Sequence, residues 1–174
     1  MGSRFFLTFI GFLLAGPAHG SQIWREYTYS EDGFSASFPG KPIIAKRLSK
    51  TSQSANRAVP ERIYSVNEGG VIYSISVMDF TKVEADPDIA VGEVASALTG
   101  LGRLAFDESI YVDSMHGREI VVIGGDGTSY TDGIFYVRRL LYQMKVVYPA
   151  VNSDPAGSSG ISIFLAQFRF TNPF

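Results

Sequence analysis

The 174-residue chain has 45% hydrophobic and 18% charged residues, a formal net charge of −2 and no cysteine. That apolar content excludes intrinsic disorder, and the near-neutral charge argues against bulk nucleic-acid binding, which needs concentrated Lys and Arg. Eighteen glycines and an aromatic content of 13% favour a β-rich domain with many turns.

The first element in chain order is an export signal. Arg4 supplies a positive start, Phe5 to Ala15 an apolar run broken by Thr8 and Gly11, and Gly16, Ala18 and Gly20 the small residues that follow. This is the three-part pattern of a secretory signal peptide. The run is shorter than the roughly 20 residues that span a bilayer. Cleavage is expected between Gly20 and Ser21, with cleavage after Ala18 as the alternative. Residues 1–20 are then the signal and residues 21–174 a single domain, periplasmic or secreted, with no membrane anchor. Such a domain is of common size, and large enough to form a core without disulfide staples. Without cysteine, a lipid-modified N-terminal cysteine is excluded.

In the mature chain, Tyr27 to Phe38 predicts two strands around the turn Ser30-Glu31-Asp32-Gly33, with Phe34, Ala36 and Phe38 on one apolar face. Pro39 to Pro42 ends the second strand. Another is predicted at Ile43–Leu48, followed by a polar loop over residues 49–59. Arg62–Val66 and Val71–Phe80 flank Asn67-Glu68-Gly69-Gly70, a hairpin signal, with Tyr73, Ile75 and Val77 on one face.

The period then changes. Val91, Val94, Leu98, Leu101 and Ala105 recur at helical spacing, which predicts an amphipathic helix within Pro87–Ala105, capped by Asp86 or Asp88. Strands are predicted at Ser109–Asp113, Arg118–Ile123, Gly133–Val137 and Leu141–Tyr148, with turns at Met115-His116-Gly117 and Gly124–Gly127. A loop at residues 149–156, a short helix at Gly157–Leu165 and a closing strand at Ala166–Phe170 complete the chain. The expected class is α+β, an antiparallel sheet covered by helices.

Chemistry-bearing residues are sparse. His116 is the only histidine after cleavage; it neighbours Asp113 and Ser114, but no G-x-S-x-G elbow is present. With one histidine and no cysteine, a zinc site is not expected. Gly100-Leu101-Gly102-Arg103-Leu104-Ala105 matches G-x-G-x-x-A but falls at a helix end rather than between a strand and a helix, so a packing or helix-termination role is expected. Gly124–Gly127 lacks the Lys-Ser/Thr of a phosphate loop. Asp79, Glu84, Asp86 and Asp88 lack the spacing of a calcium loop and read as a solvated segment with a helix cap. Arg138-Arg139 reads as a tight connection, although with Lys145 it could form a small basic patch. No catalytic, cofactor or metal residue is assigned.

Asp32-Gly33-Phe34-Ser35-Ala36-Ser37-Phe38-Pro39-Gly40-Lys41-Pro42 resembles the opening motif of a group of exported bacterial proteins of unknown function with a PsbP-like fold. Gly117-Arg118-Glu119, Leu140 to Met144 and Phe164 to Arg169 match that group's later segments in order. At Ala166-Gln167 the chain departs from it, since a serine commonly precedes the last phenylalanine. The resemblance implies an antiparallel sheet between helices, a fold shared with an extrinsic subunit of photosystem II and a Ran-binding import factor, and it implies no catalytic residues. The expected function is an exported, non-catalytic accessory or protein-binding domain, with an envelope protein as partner and no cofactor. The alternative is a small-ligand-binding module whose aromatic residues line a cleft. A hydrolase would need His116 or paired carboxylates to converge in a cleft.

Overall fold

A computed structural model describes residues 23–54, 57–150 and 163–171. The predicted signal, its Gly20–Ser21 junction and most of the predicted Gly157–Leu165 helix lie outside the described residues.

The elements are β1 (Arg25–Tyr29), β2 (Phe34–Phe38), β3 (Ile43–Ser49), β4 (Val59–Glu68), β5 (Val71–Asp79), α1 (Pro87–Thr99), β6 (Gly102–Val112), β7 (Met115–Gly124), β8 (Ser129–Val137), β9 (Leu140–Tyr148) and β10 (Arg169–Phe170). Residues 163–166 form one helical turn. A seven-stranded sheet has the order β3-β4-β5-β9-β8-β7-β6, and a three-stranded sheet the order β1-β2-β10. Every strand pairing is antiparallel.

Strand alternation splits the core in two. On one face of the large sheet, Tyr73, Ile75, Val77, Phe135, Tyr142, Met144 and Val146 meet Phe34, Ala36 and Phe38 of β2, together with Phe164, Phe168 and Phe170. On the other face, Ile120, Val122, Ile134 and Leu141 meet Ala90, Ala95 and Leu98 of α1. The fold is therefore dominated by sheets. Among the described residues, only one face carries a helix of any length, and a small sheet covers the other. The expectation of helices covering the sheet is corrected to that extent, while the α+β character stands.

Two local corrections follow from backbone geometry. The helix stops at Thr99, and Leu101 and Ala105 lie outside it. Gly102 opens β6 instead: a Cβ there would lie 2.3 Å from the Ile123 carbonyl oxygen, so the register of β6 on β7 requires glycine. The residues of α1 buried on the sheet are Ala90, Ala95 and Leu98, with Val91 and Val94 at the margin.

The turn expected at Met115-His116-Gly117 is instead Asp113-Ser114, with φ of +47° and +67°, and residues 115–117 belong to β7. Two-residue hairpin loops of type I′ need both residues left-handed, a state aspartate tolerates better than most. Gly117 serves packing, since a Cβ there would lie 2.4 Å from the Phe135 ring. Arg138-Arg139 forms the same kind of turn, with φ of +52° and +65°. Asn67–Gly70 is the expected hairpin, with Gly69 and Gly70 at positive φ.

Candidate functional site

The opening motif forms an internal clasp. A 3-10 turn at Ser30–Asp32 joins β1 to β2, and Gly33 closes it at φ +66°. The Asp32 side chain is 2% exposed and accepts Arg62 Nε at 2.8 and 2.7 Å, a further bond from Arg62 Nη2, and the Tyr64 hydroxyl. The Asp32 carbonyl accepts the Tyr142 hydroxyl at 2.8 Å. Burial pushes the Tyr142 hydroxyl up to about 12, and burial with the Asp32 bond raises that of Tyr64, so both stay protonated as donors. A Cβ on Gly33 would lie 3.3 Å from the Tyr142 oxygen. Behind the clasp, Phe34 stacks on Phe168 at 5.6 Å, and Phe168 stacks on Phe135, the ring that requires Gly117. Residues from all four matched segments therefore meet in one core. They are structural, holding the small sheet on the large one.

The sequence-predicted site residues do not converge in this way. His116 lies on β7, exposed, with its ring 5.3 Å from Tyr111 and no hydrogen-bond partner among the described residues. Asp113 accepts the Phe170 backbone N–H at 2.9 Å, so Asp113, Ser114 and His116 assemble no triad. His116 borders a cleft of about 530 Å³ between the start of α1 and strands β6–β8, lined also by Asp88, Glu108, Ser109 and Tyr136. The cleft's other ionic groups pair with each other: Arg118 forks onto Asp107 at 2.7 and 2.6 Å, and its hydrogen bonds hold the Asp107 carboxyl below its usual range. Among the described residues, none orients His116 as a base in this cleft.

Asp86 caps α1, accepting the backbone N–H groups of Asp88 and Ile89 at 2.9 and 3.2 Å. Asp79 accepts Thr81, and Glu84 is exposed. Among the described residues, no three potential ligands gather into a metal site. Gly127, at φ +83°, closes the β7–β8 hairpin, and Asp126 accepts the Thr128 N–H and hydroxyl there. Arg139 donates to the Val83 carbonyl at 2.9 Å, while Lys145 lies 3.8 Å from Asp132, so the basic patch does not form.

Two buried carboxylates escaped the sequence reading. Glu61 on β4 accepts Arg47 at 2.5 and 3.0 Å and the Ser49 hydroxyl. Burial drives its carboxyl up, but those donors outweigh it and leave it lowered. Asp132 on β8 is fully buried beneath the helix layer, bonded to Gln143, with its Oδ1 unpartnered. Burial, only partly offset by Lys145 and Gln143, raises its carboxyl to about 6. Parity was the available signal, since Glu61 and Asp132 share strand faces with Val59 and Ile134.

Two strand edges also lie at the surface. Among the described residues the large sheet ends on β3 and β6, neither paired on its outer side. Ile43 is 75% and Leu48 71% exposed on β3, and Leu104, Phe106 and Tyr111 are exposed on β6. Lys46 and Arg47 lie within β3, with Lys41 and Lys50 just beyond its ends and no acid from residue 40 to 50. The β6 edge carries Asp107 and Glu108 beside Arg103.

No family model matches the chain, and no curated protein matches it. Among solved structures it is similar to the solution structure of a cyanobacterial PsbP, CyanoP, from Synechocystis sp. PCC 6803. Identity is 15%, the alignment covers 91% of this chain and 98% of that one, and the TM-score is 0.48.

Proposed function

We propose that the chain is an exported, non-catalytic accessory domain with a PsbP-like fold that acts by binding a protein of the cell envelope. The signal-peptide pattern supports export, and the ordered motifs that meet in one core support the fold. The observation that carries the binding role is the β3 edge, unpaired among the described residues, where the exposed Ile43, Ile44 and Leu48 flank the adjacent cations Lys46 and Arg47. An unpaired edge is a template for strand addition, and lysines on it repel most strands but not one that brings carboxylates to them. Its charge selects an extended acidic segment, which would pair its backbone with β3 and place carboxylates beside Lys46 and Lys50.

A small-ligand module would set its aromatic residues around an open cleft. Here Phe34, Phe38, Phe135, Phe164 and Phe168 are fully buried against one another and fill the core. The hydrolase reading loses its base, because His116 is exposed and lacks an orienting partner.

The test is photo-crosslinking in an envelope extract from a reactive residue placed at Ile43. The expected result is one partner in stoichiometric yield, lost in Leu48→Glu and in Lys46→Glu. Capture of no protein, or capture indifferent to both substitutions, overturns the reading.

A further inference from the structure

We infer that β6 is the interface of a twofold dimer, in which two copies of this chain pair edge to edge and antiparallel, joining their large sheets into one. The β6 strand runs eleven residues at the sheet margin, and residues 102–109 are all exposed. It contains no proline and no lysine, two of the residues that commonly block an edge.

The charge pattern selects the occupant. Arg103, Phe106 and Glu108 lie opposite Ile123, Val121 and Glu119 of β7, on one face of the sheet; a bulge between Leu104 and Phe106 brings Arg103 to that face. Glu108 stands directly across from Glu119, a like-charge pair with no cation on either member among the described residues. Such pairs destabilise a sheet. The repulsion, with burial as the larger cause, raises the Glu119 carboxyl. Arg103, five residues before Glu108, has no ion-pair partner among the described residues.

A twofold axis through the bulge places Arg103 of each copy opposite Glu108 of the other. Every Glu108–Glu119 row then gains an arginine at its outer end, and both rows are satisfied at once. The same register sets Leu104 against Asp107, whose carboxylate stays on Arg118, and brings the two Phe106 side chains to the centre of the contact. An edge whose two halves complement each other in charge fits a second copy of itself, and the closed twofold uses up both β6 edges. The β3 edge stays free, so this inference does not rest on the partner proposed above.

Sedimentation equilibrium tests the proposal. The purified chain is expected to form a dimer that weakens with salt. Arg103→Glu and Glu108→Arg should each loosen it by at least about tenfold, because two attractive pairs become repulsive. An equimolar mixture of the two variants should restore dimerisation as a heterodimer, since every acid then meets an arginine across the edge. Leu48→Glu should leave the dimer unchanged. A chain that stays monomeric, a dimer indifferent to both reversals, or a mixture that fails to associate overturns the proposal. Circular dichroism of each variant separates loss of pairing from loss of fold.

Discussion

Asp32 shows how a motif residue can be essential without being chemical. It accepts both Arg62 and Tyr64 from β4 while its carbonyl holds Tyr142 of β9, so one turn fastens the small sheet to the large one. Removing one partner of a buried ion pair leaves the other uncompensated. Asp32→Ala is therefore expected to cost on the order of 3–5 kcal/mol, read from urea unfolding; a loss below about 1 kcal/mol would show that the clasp is dispensable. Asp132 behaves in the opposite way. Its carboxyl is raised from 3.8 to about 6, so between those values the folded state binds more protons than the unfolded one. Its contribution is then fully present below pH 3.8 and is lost as pH rises through about 6. The loss should be on the order of 2–3 kcal/mol, levelling off above that window. Asp132→Asn should flatten this part of the stability profile, and an unchanged slope would place the titration elsewhere. Asp32 was not legible as buried from its neighbours in sequence, because Arg62, which satisfies it, lies 30 positions away; for Asp132 the only local signal was its parity with Ile134, since its partner Gln143 lies 11 positions away.

The clearest lesson at the scale of elements comes from α1. Val91, Val94, Leu98, Leu101 and Ala105 have a helical period, yet the helix ends at Thr99 and the chain turns into β6. One glycine at the junction allows that change: Gly102 fits where no Cβ can, while Gly100 takes the position after the helix in an ordinary right-handed conformation. Leu98 is 2% exposed and Leu101 48% exposed. Leu98→Ala is expected to cost about 2–5 kcal/mol and Leu101→Ala less than about 0.5 kcal/mol, measured by denaturant midpoints. Equal losses would restore the longer helix. The Asp86 cap was legible because it depends on local geometry, and Asp86→Ala should cost about 1 kcal/mol in the same assay. Hairpins were legible where glycine marked them, as at Gly69-Gly70. The Asp113-Ser114 turn was missed because its left-handed residues are not glycine, while the glycine nearby serves packing.

For the molecule as a whole, the two cores on opposite faces of one sheet contain no disulfide. A chain beginning at Ser21 is expected to unfold cooperatively, with the same midpoint with or without chelator and reductant; a midpoint that drops with chelator would reveal a metal. Most strands, the helix start and the dominance of sheet were legible in the sequence, because period, capping and turn chemistry act over a few residues. The open edges followed from neither composition nor pattern. Strand order depends on which faces find partners, and it left β3 and β6 outermost, so their apolar and charged side chains became surface rather than interior. By itself the sequence determined a short apolar run near its start, a β-rich core and the lack of a local catalytic motif, all properties of neighbouring residues. Only the tertiary structure decided that Asp32 is a clasp and, among the described residues, that His116 stands alone and that two sheet edges are free, because each of these depends on contacts between residues far apart in the chain.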